Sequence, residues 1–161
     1  MLLNEGGKGC GRMVSKKPRI NVRSIKLGYI KLDDGTIIVQ RVAVVDARPV
    51  RVGSPFGVDF DLVVISGISP HPSEKVLEEL KDKPMLEPNK PPPDSWRQLK
   101  ILDKEPAVEE VEYFDEEVGR YIIRVEIEPL MASLNTGAKT PKGEPFYIVR
   151  WAPKISWRKE D

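Results

Sequence analysis

The hydrophobic pattern of the chain is clearest near its C-terminal end, in the stretch FYIVRWAPKISWRK at residues 146–159. Apolar and aromatic positions alternate there with mainly polar and basic ones, which is the period-two pattern of a strand with one buried face. The stretch therefore predicts a strand whose aromatic side chains enter a core and whose cations face solvent. One face carries Tyr147, Val149, Trp151, Pro153, Ile155 and Trp157, and the other carries Ile148, Arg150, Ala152, Lys154, Ser156 and Arg158.

Two hairpins are predicted upstream of this strand. The first turns at residues 33–35, sequence DDG, between two β-branched runs, because glycine supplies the positive φ that a tight turn needs. Its second strand, residues 36–45, has apolar residues on both sides, which predicts a strand that is central in its sheet or covered on both faces. The second hairpin joins residues 108–114 to residues 120–128. In its second strand the side chains predicted to face inward are Tyr121, Ile123, Val125 and Ile127.

The remaining elements are shorter or irregular. Further strands are predicted at residues 58–65 and within residues 96–102. The single predicted helix runs from Pro72 to Lys83 and ends at Pro84, because a proline lacks the N–H that would continue it. The small and polar residues 130–145 predict a long loop.

These elements predict an all-β or β-dominated α+β fold, an antiparallel barrel or sandwich of six to seven strands with one short helix. Residues 1–18 are rich in glycine and lysine and predict a flexible basic N-terminal tail. Residues 19–161 are expected to form a single β-rich domain. Within it, five prolines make residues 84–95 an extended connection.

Composition adds an expectation about the compartment. Cys10 is the only cysteine, so no internal disulfide can form and a reducing interior is expected. The first residues lack the pattern of a signal peptide, and no apolar run approaches the roughly 20 residues that cross a bilayer. We therefore expect a cytoplasmic protein without membrane contact. Charged residues make up 32% of the chain alongside 15 prolines and few amides, which is typical of a thermophilic protein.

The formal net charge of +1 conceals a strong segregation of charge along the chain. Residues 1–31 contain eight Lys and Arg against one acidic residue, and residues 103–128 contain ten Asp and Glu against three Lys and Arg. The last 33 residues are basic again, with six cations against three acids. Two interpretations follow: the blocks face each other within the fold or between subunits, or the basic ends bind an acidic partner.

Catalytic chemistry has little basis in the sequence. His71 is the only histidine and stands between two prolines, without an adjacent nucleophile to activate, and His71 with Cys10 cannot supply a zinc site. Asp59 and Asp61 project from one side of a predicted strand, as a metal-binding pair does, and with Asp46 they define a metal-dependent nuclease hypothesis. Solvated carboxylates are the commoner role of such a pair. No cofactor is predicted.

The function expected from these patterns is a non-catalytic binding protein that contacts nucleic-acid phosphates through its basic termini. DNA or RNA is then the partner. The alternative is a protein-interaction subunit or a homo-oligomer within a larger assembly. The cations predicted to contact phosphate are Lys16, Lys17, Arg19, Lys139, Lys142, Arg150, Lys154 and Arg158.

Overall fold

The computed structural model describes residues 19–161, which form nine strands and one short helix. Every strand pairing in it is antiparallel, and the two sheets that result pack face to face. The elements are β1 Ile20–Lys26, β2 Gly28–Leu32, β3 Ile37–Ser54, β4 Gly57–His71, α1 Glu74–Leu80, β5 Trp96–Leu99, β6 Ile101–Glu105, β7 Ala107–Asp115, β8 Gly119–Lys139 and β9 Pro145–Glu160.

The order of strands leaves both sheets open at their sides. The four-stranded sheet runs β4-β3-β2-β6. In the five-stranded sheet, β8 pairs with β9 along one side and with β7 and then β5 along the other, while β1 continues beyond β7. The predicted fold class is therefore confirmed as a mostly β protein with one helix, and the two open sheets are those of a sandwich, not of a closed barrel. The strands number nine, against the six to seven expected.

An aromatic cluster joins the two sheets. Phe60 on β4 makes edge-to-face contacts with Tyr113, Tyr121 and Trp157, with ring centroids 5.0, 5.3 and 5.5 Å away. All three partners belong to the five-stranded sheet, so one side chain ties β4 to β7, β8 and β9. Edge-to-face pairs of this kind add about 0.5–1.5 kcal/mol each beyond the burial of area.

A second core lies under α1, where Val76 and Leu80 are buried. The helix begins after Ser73, whose hydroxyl oxygen accepts a hydrogen bond from the Val76 N–H, the usual arrangement of an N-cap. Arg97 on β5 donates two hydrogen bonds, of 2.7 and 2.9 Å, to the carboxylate of Glu79. The predicted helix is confirmed in a shorter form. No helix within residues 19–161 is long and apolar enough to cross a membrane.

The predicted loop at residues 130–145 was wrong. Most of it is strand: β8 continues to Lys139, because Ala132 and Leu134 are buried and pair with β5 and β9. The second strand of the first hairpin is central, as one of its two interpretations predicted, since β3 lies between β4 and β2. It is covered on one face only, because Ile38 is buried whereas Ile37 and Val45 are exposed.

The other strand predictions hold. Both hairpins form, and the predicted inward-facing residues of the second hairpin's latter strand are buried. In β9 the two predicted core aromatics, Trp151 and Trp157, are partly buried and pack against the core between the sheets, although Ile155 stays exposed. The division between residues 1–18 and 19–161 stays a prediction, because the first 18 residues lie outside the described part.

Candidate interaction site

The acidic and basic blocks of the sequence meet across β8 and β9. The Lys154 ammonium nitrogen lies 2.8 Å from a carboxylate oxygen of Glu128 and 3.9 Å from one of Glu126. Its hydrogen bond to Glu128 raises the pKa of Lys154 and lowers the pKa of Glu128, to which Lys104 contributes as well. The sequence allowed two interpretations of the charge blocks. Here the acidic and basic blocks face each other within the fold, as the first interpretation states.

Other predicted phosphate-contacting cations also have partners inside the protein. Arg158 forms an ion pair with Glu160 at 3.4 Å. Arg19 donates to the Tyr113 hydroxyl and lies 3.4 Å from Asp115; the hydrogen bond to Tyr113 is the main cause of a raised arginine pKa.

At the other end of the protein, Lys139 donates a 3.0 Å hydrogen bond to the carbonyl oxygen of Lys81, immediately after α1. A cation near the C-terminus of a helix is favourable because the last carbonyls there carry partial negative charge. Arg158 is in register with Ile122 near the start of β8, whereas Lys139 lies at its end. The described cations therefore do not form one cluster, and Lys16 and Lys17 fall outside residues 19–161.

The acidic residues of the nuclease hypothesis sit beside arginines. Asp59 lies 3.9 Å from Arg51, and Asp61 lies 3.8 Å from Arg48, which also contacts Asp46. No group of three potential metal ligands occurs within the described residues. The carboxylates of this hypothesis are thus paired with arginines of the protein itself.

A buried polar network that the sequence reasoning missed joins the first turn, α1 and β9. The Tyr147 hydroxyl donates to an Asp34 carboxylate oxygen at 2.8 Å and lies 2.7 Å from the Thr36 hydroxyl. Burial raises the pKa of Tyr147 well above its usual range, so the phenol keeps its proton and acts as a donor. The Ser73 hydroxyl donates to the Asp34 carbonyl oxygen at 2.7 Å. These mutual contacts give the network a structural role at the end of the sandwich.

The outer edge of β4 is a long strand edge. Among residues 19–161 this strand pairs with β3 alone, so its other side presents backbone N–H and C=O groups without a strand partner there. Its residues 62–70, sequence LVVISGISP, contain no charge, and the side chains of Val63 and Ile65 are 38% and 57% exposed. A long uncharged edge strand is a template for pairing with another strand, which most proteins prevent with charges, prolines or a covering segment.

Apolar surface flanks both ends of this edge. A cleft of about 450 Å³ lies between the end of β4 and the β8–β9 turn, and it is lined mainly by prolines and Ile68 and Phe146. At the other end Phe56, 70% exposed at the tip of the β3–β4 hairpin, lines a smaller cleft of about 240 Å³ with Ile155 and Trp157. The edge therefore lies between two surfaces that a partner can cover.

The local sequence carries one signal for this site. The strand predicted at residues 58–65 is followed by uncharged residues that extend it to His71, so β4 is nearly twice the expected length. Its position at the edge depends on strand order, which no local pattern reveals.

The fold and the site together define a β-sandwich with an open, uncharged edge strand. No protein-family model, curated protein or solved structure matches this chain.

Proposed function

We propose that this protein is a non-catalytic interaction module that binds a strand of a protein partner along the edge of β4. One observation carries the proposal: residues 62–70 form an uncharged edge without a pairing partner in the described part of the chain. Strand addition to a sheet edge uses main-chain hydrogen bonds for affinity and alternate side chains for specificity. Each such bond contributes about 0.5–1.5 kcal/mol net, so four or five of them give useful affinity only in combination with side-chain contacts.

The side chains along the edge suit a partner strand with alternating apolar residues. Val63 and Ile65 lie on the solvent-facing side of the sheet, while Leu62 and Val64 pack against the core that joins the sheets. A partner strand would continue both faces, and apolar cross-strand pairs contribute about 0.2–1 kcal/mol each. A strand with an apolar residue at every second position therefore fits best.

A titration with strand peptides tests the proposal. We expect a fluorescein-labelled peptide with alternating valine and threonine and lysines at its ends to bind saturably, and a version with a central proline not to bind. Lysines at both Val63 and Ile65 should weaken binding at least tenfold, because two charges then replace the apolar side chains that would pair with the peptide. The matched control is Leu102→Lys on β6, the opposite edge of the same sheet, where the side chain is 60% exposed.

Backbone amide shifts measured by NMR should locate the peptide on β4. Binding that the double lysine variant at Val63 and Ile65 leaves unchanged, or the absence of any binding, would contradict the proposal.

Phosphate contact by the basic residues is the second candidate function. Lys139, Lys142 and Arg150 have no carboxylate within 4.0 Å among residues 19–161, and cations without carboxylate partners are free to release counterions from nucleic acid. A gel-shift titration at two salt concentrations tests this candidate with single- and double-stranded DNA and RNA. Serine at these three positions should reduce the slope of log K against log salt concentration by up to about three, because each phosphate contact contributes about one. Lys154→Ser should change this slope little, since Lys154 is already ion-paired.

The same titration covers the two cations outside the described part, with serine at Lys16 and Lys17. Affinity that does not respond to salt would end this candidate.

A further inference from the structure

We infer that the partner strand of β4 is β4 of a second copy of the chain, paired antiparallel about a twofold axis with Ile65 opposite itself. This inference rests on the proposed function and adds the identity of the partner. Closed twofold dimers are the commonest homo-oligomers, and their interface must be complementary to itself. The residues of β4 can be tested directly for that property.

Charge selects the antiparallel direction. Asp59 and Asp61 lie in the first half of β4, whereas the second half ends in Ser69 and His71. A parallel pairing in register would set the carboxylates of the two copies opposite each other, and like charges directly opposite destabilise a sheet. The antiparallel pairing centred on Ile65 places Asp59 opposite His71 and Asp61 opposite Ser69.

Symmetry limits the register to a few choices. A twofold axis perpendicular to the sheet sets residues of the same face opposite each other, so the axis must pass beside a residue and not between two residues. Centring on Ser66 sets that serine against itself.

Centring on Val64 and centring on Ile65 both match apolar residues. The Val64 register sets Val63 against Ile65, but it leaves the Asp61 carboxylate opposite Gly67. The Ile65 register pairs Ile65 with itself and Leu62 with Ile68, and it sets both carboxylates of the strand opposite polar residues. We therefore choose the Ile65 register.

The glycine of the strand fits this register. A Cβ built at Gly67 would meet nothing within 4 Å, so open space lies over its backbone. In the proposed dimer Val63 of the other copy lies opposite Gly67, and this occurs twice because of the symmetry. Residues opposite each other in an antiparallel pair are about 4.5–5.5 Å apart, close enough for the valine to cover the gap.

The size of the edge indicates a dimer of moderate affinity. Thirteen paired residues extend about 43 Å, and an edge about 10 Å thick then covers on the order of 400 Å² on each copy. Stable interfaces cover about 800 Å² per partner, so the edge alone gives a weak dimer unless the flanking clefts contribute. We therefore expect dissociation in the micromolar range.

The first experiment measures mass against concentration. Sedimentation equilibrium of the full chain in reducing buffer, from about 1 to 500 µM, should show a monomer–dimer equilibrium. Ile65→Lys sets two ammonium groups opposite each other at the axis and should weaken the dimer at least tenfold, while Leu102→Lys leaves it unchanged. A monomer at every concentration overturns the inference, including the case in which residues 1–18 of the same chain cover the edge. Dimers that resist Ile65→Lys overturn it too.

The second experiment tests the register by disulfide formation in a Cys10→Ser background. Ile65→Cys should cross-link with itself, since cysteines opposite each other satisfy the Cα separation of about 4.4–6.8 Å that a disulfide needs. Val63→Cys alone should not, because the two copies of that residue lie about 13 Å apart along the strands. Val63→Cys mixed with Gly67→Cys should cross-link. Any other pattern contradicts the register.

The two proposals fail in different ways. A protein that binds strand peptides on β4 but stays monomeric retains the proposed function and loses the second copy as its partner. A protein that does neither loses both.

Discussion

The two sheets end on the same side of the sandwich in edges of opposite character. The edge of β9 carries Pro153 and a series of cations, among them Lys154 and Arg158, and these protect it against pairing. The edge of β4, in the other sheet, has nine consecutive uncharged residues. Both strands have the same core around Phe60 and Trp157, so packing does not explain the difference. One edge is protected against association and the other is available for it.

The largest effect on stability is expected from Phe60, the β4 side chain that packs into the core between the sheets. Phe60→Ala removes the ring that contacts both sheets and should lower the free energy of unfolding by about 3–5 kcal/mol, measured by urea denaturation. Phe56→Ala, in the exposed tip of the same hairpin, should change stability by less than about 0.5 kcal/mol. Equal effects of the two substitutions would show that β4 is not anchored by Phe60.

A smaller effect is expected at the one side-chain hydrogen bond that joins the two edge strands. The Trp157 indole N–H donates to the Val58 carbonyl oxygen at 2.7 Å. Trp157→Phe keeps an aromatic ring but leaves that acceptor without its donor, and should cost about 1–3 kcal/mol in thermal or urea unfolding. Trp96→Phe is the control, because Trp96 also makes an edge-to-face contact, with Phe146, but no indole hydrogen bond among the described residues. A larger loss in the control would contradict this account.

Two substitutions should make the edge of β9 as open to strand pairing as the edge of β4. Valine at both Pro153 and Lys154 restores a backbone donor and removes a charge from that edge. We expect light scattering to detect association beyond a dimer, at concentrations roughly tenfold below those at which the wild type forms larger species. A double variant that associates like the wild type would show that these two residues do not protect the edge.

The smallest effect concerns pH. The pKa of Glu128 is lowered in the folded state by its hydrogen bonds to Lys154 and Lys104, so this contribution to stability is present above the unfolded pKa of about 4.3 and is lost as pH falls through the lower folded value. Lys154→Ala should reduce the fall in Tm between pH 6 and pH 3 slightly, since the pair is exposed. The control is Lys75→Ala, whose lysine has no ion pair within the described part. An unchanged pH profile in Lys154→Ala would contradict the effect.

Much of this architecture could be predicted from the sequence, because local patterns of hydrophobic and turn residues determine it. The alternation in β9 correctly predicted that Trp151 and Trp157 pack against the core, and the DDG turn predicted the first hairpin. The end of β8 could not be read in this way. Residues 130–139 mix small and polar residues with three larger apolar ones and show no strand alternation, and they form a strand because β5 and β9 pair with them from distant parts of the chain.

The interaction site needed information of the same non-local kind. The uncharged run at residues 62–70 is visible in the sequence, but whether it forms a buried central strand or an edge depends on strand order. The contacts between charged residues could not be predicted either, because they also depend on which strands pair. The sequence left two interpretations open, and the register of β8 with β9 sets Lys154 directly opposite Glu126.

The central claim is that β4 is an open edge that pairs with its own copy, and sedimentation equilibrium of three proteins tests it most directly. We predict a concentration-dependent dimer for the wild type and for Leu102→Lys, and for Ile65→Lys a dissociation constant at least tenfold higher. A wild-type monomer up to about 500 µM, well above the micromolar range expected for the dimer, or a dimer that Ile65→Lys leaves intact, would contradict it.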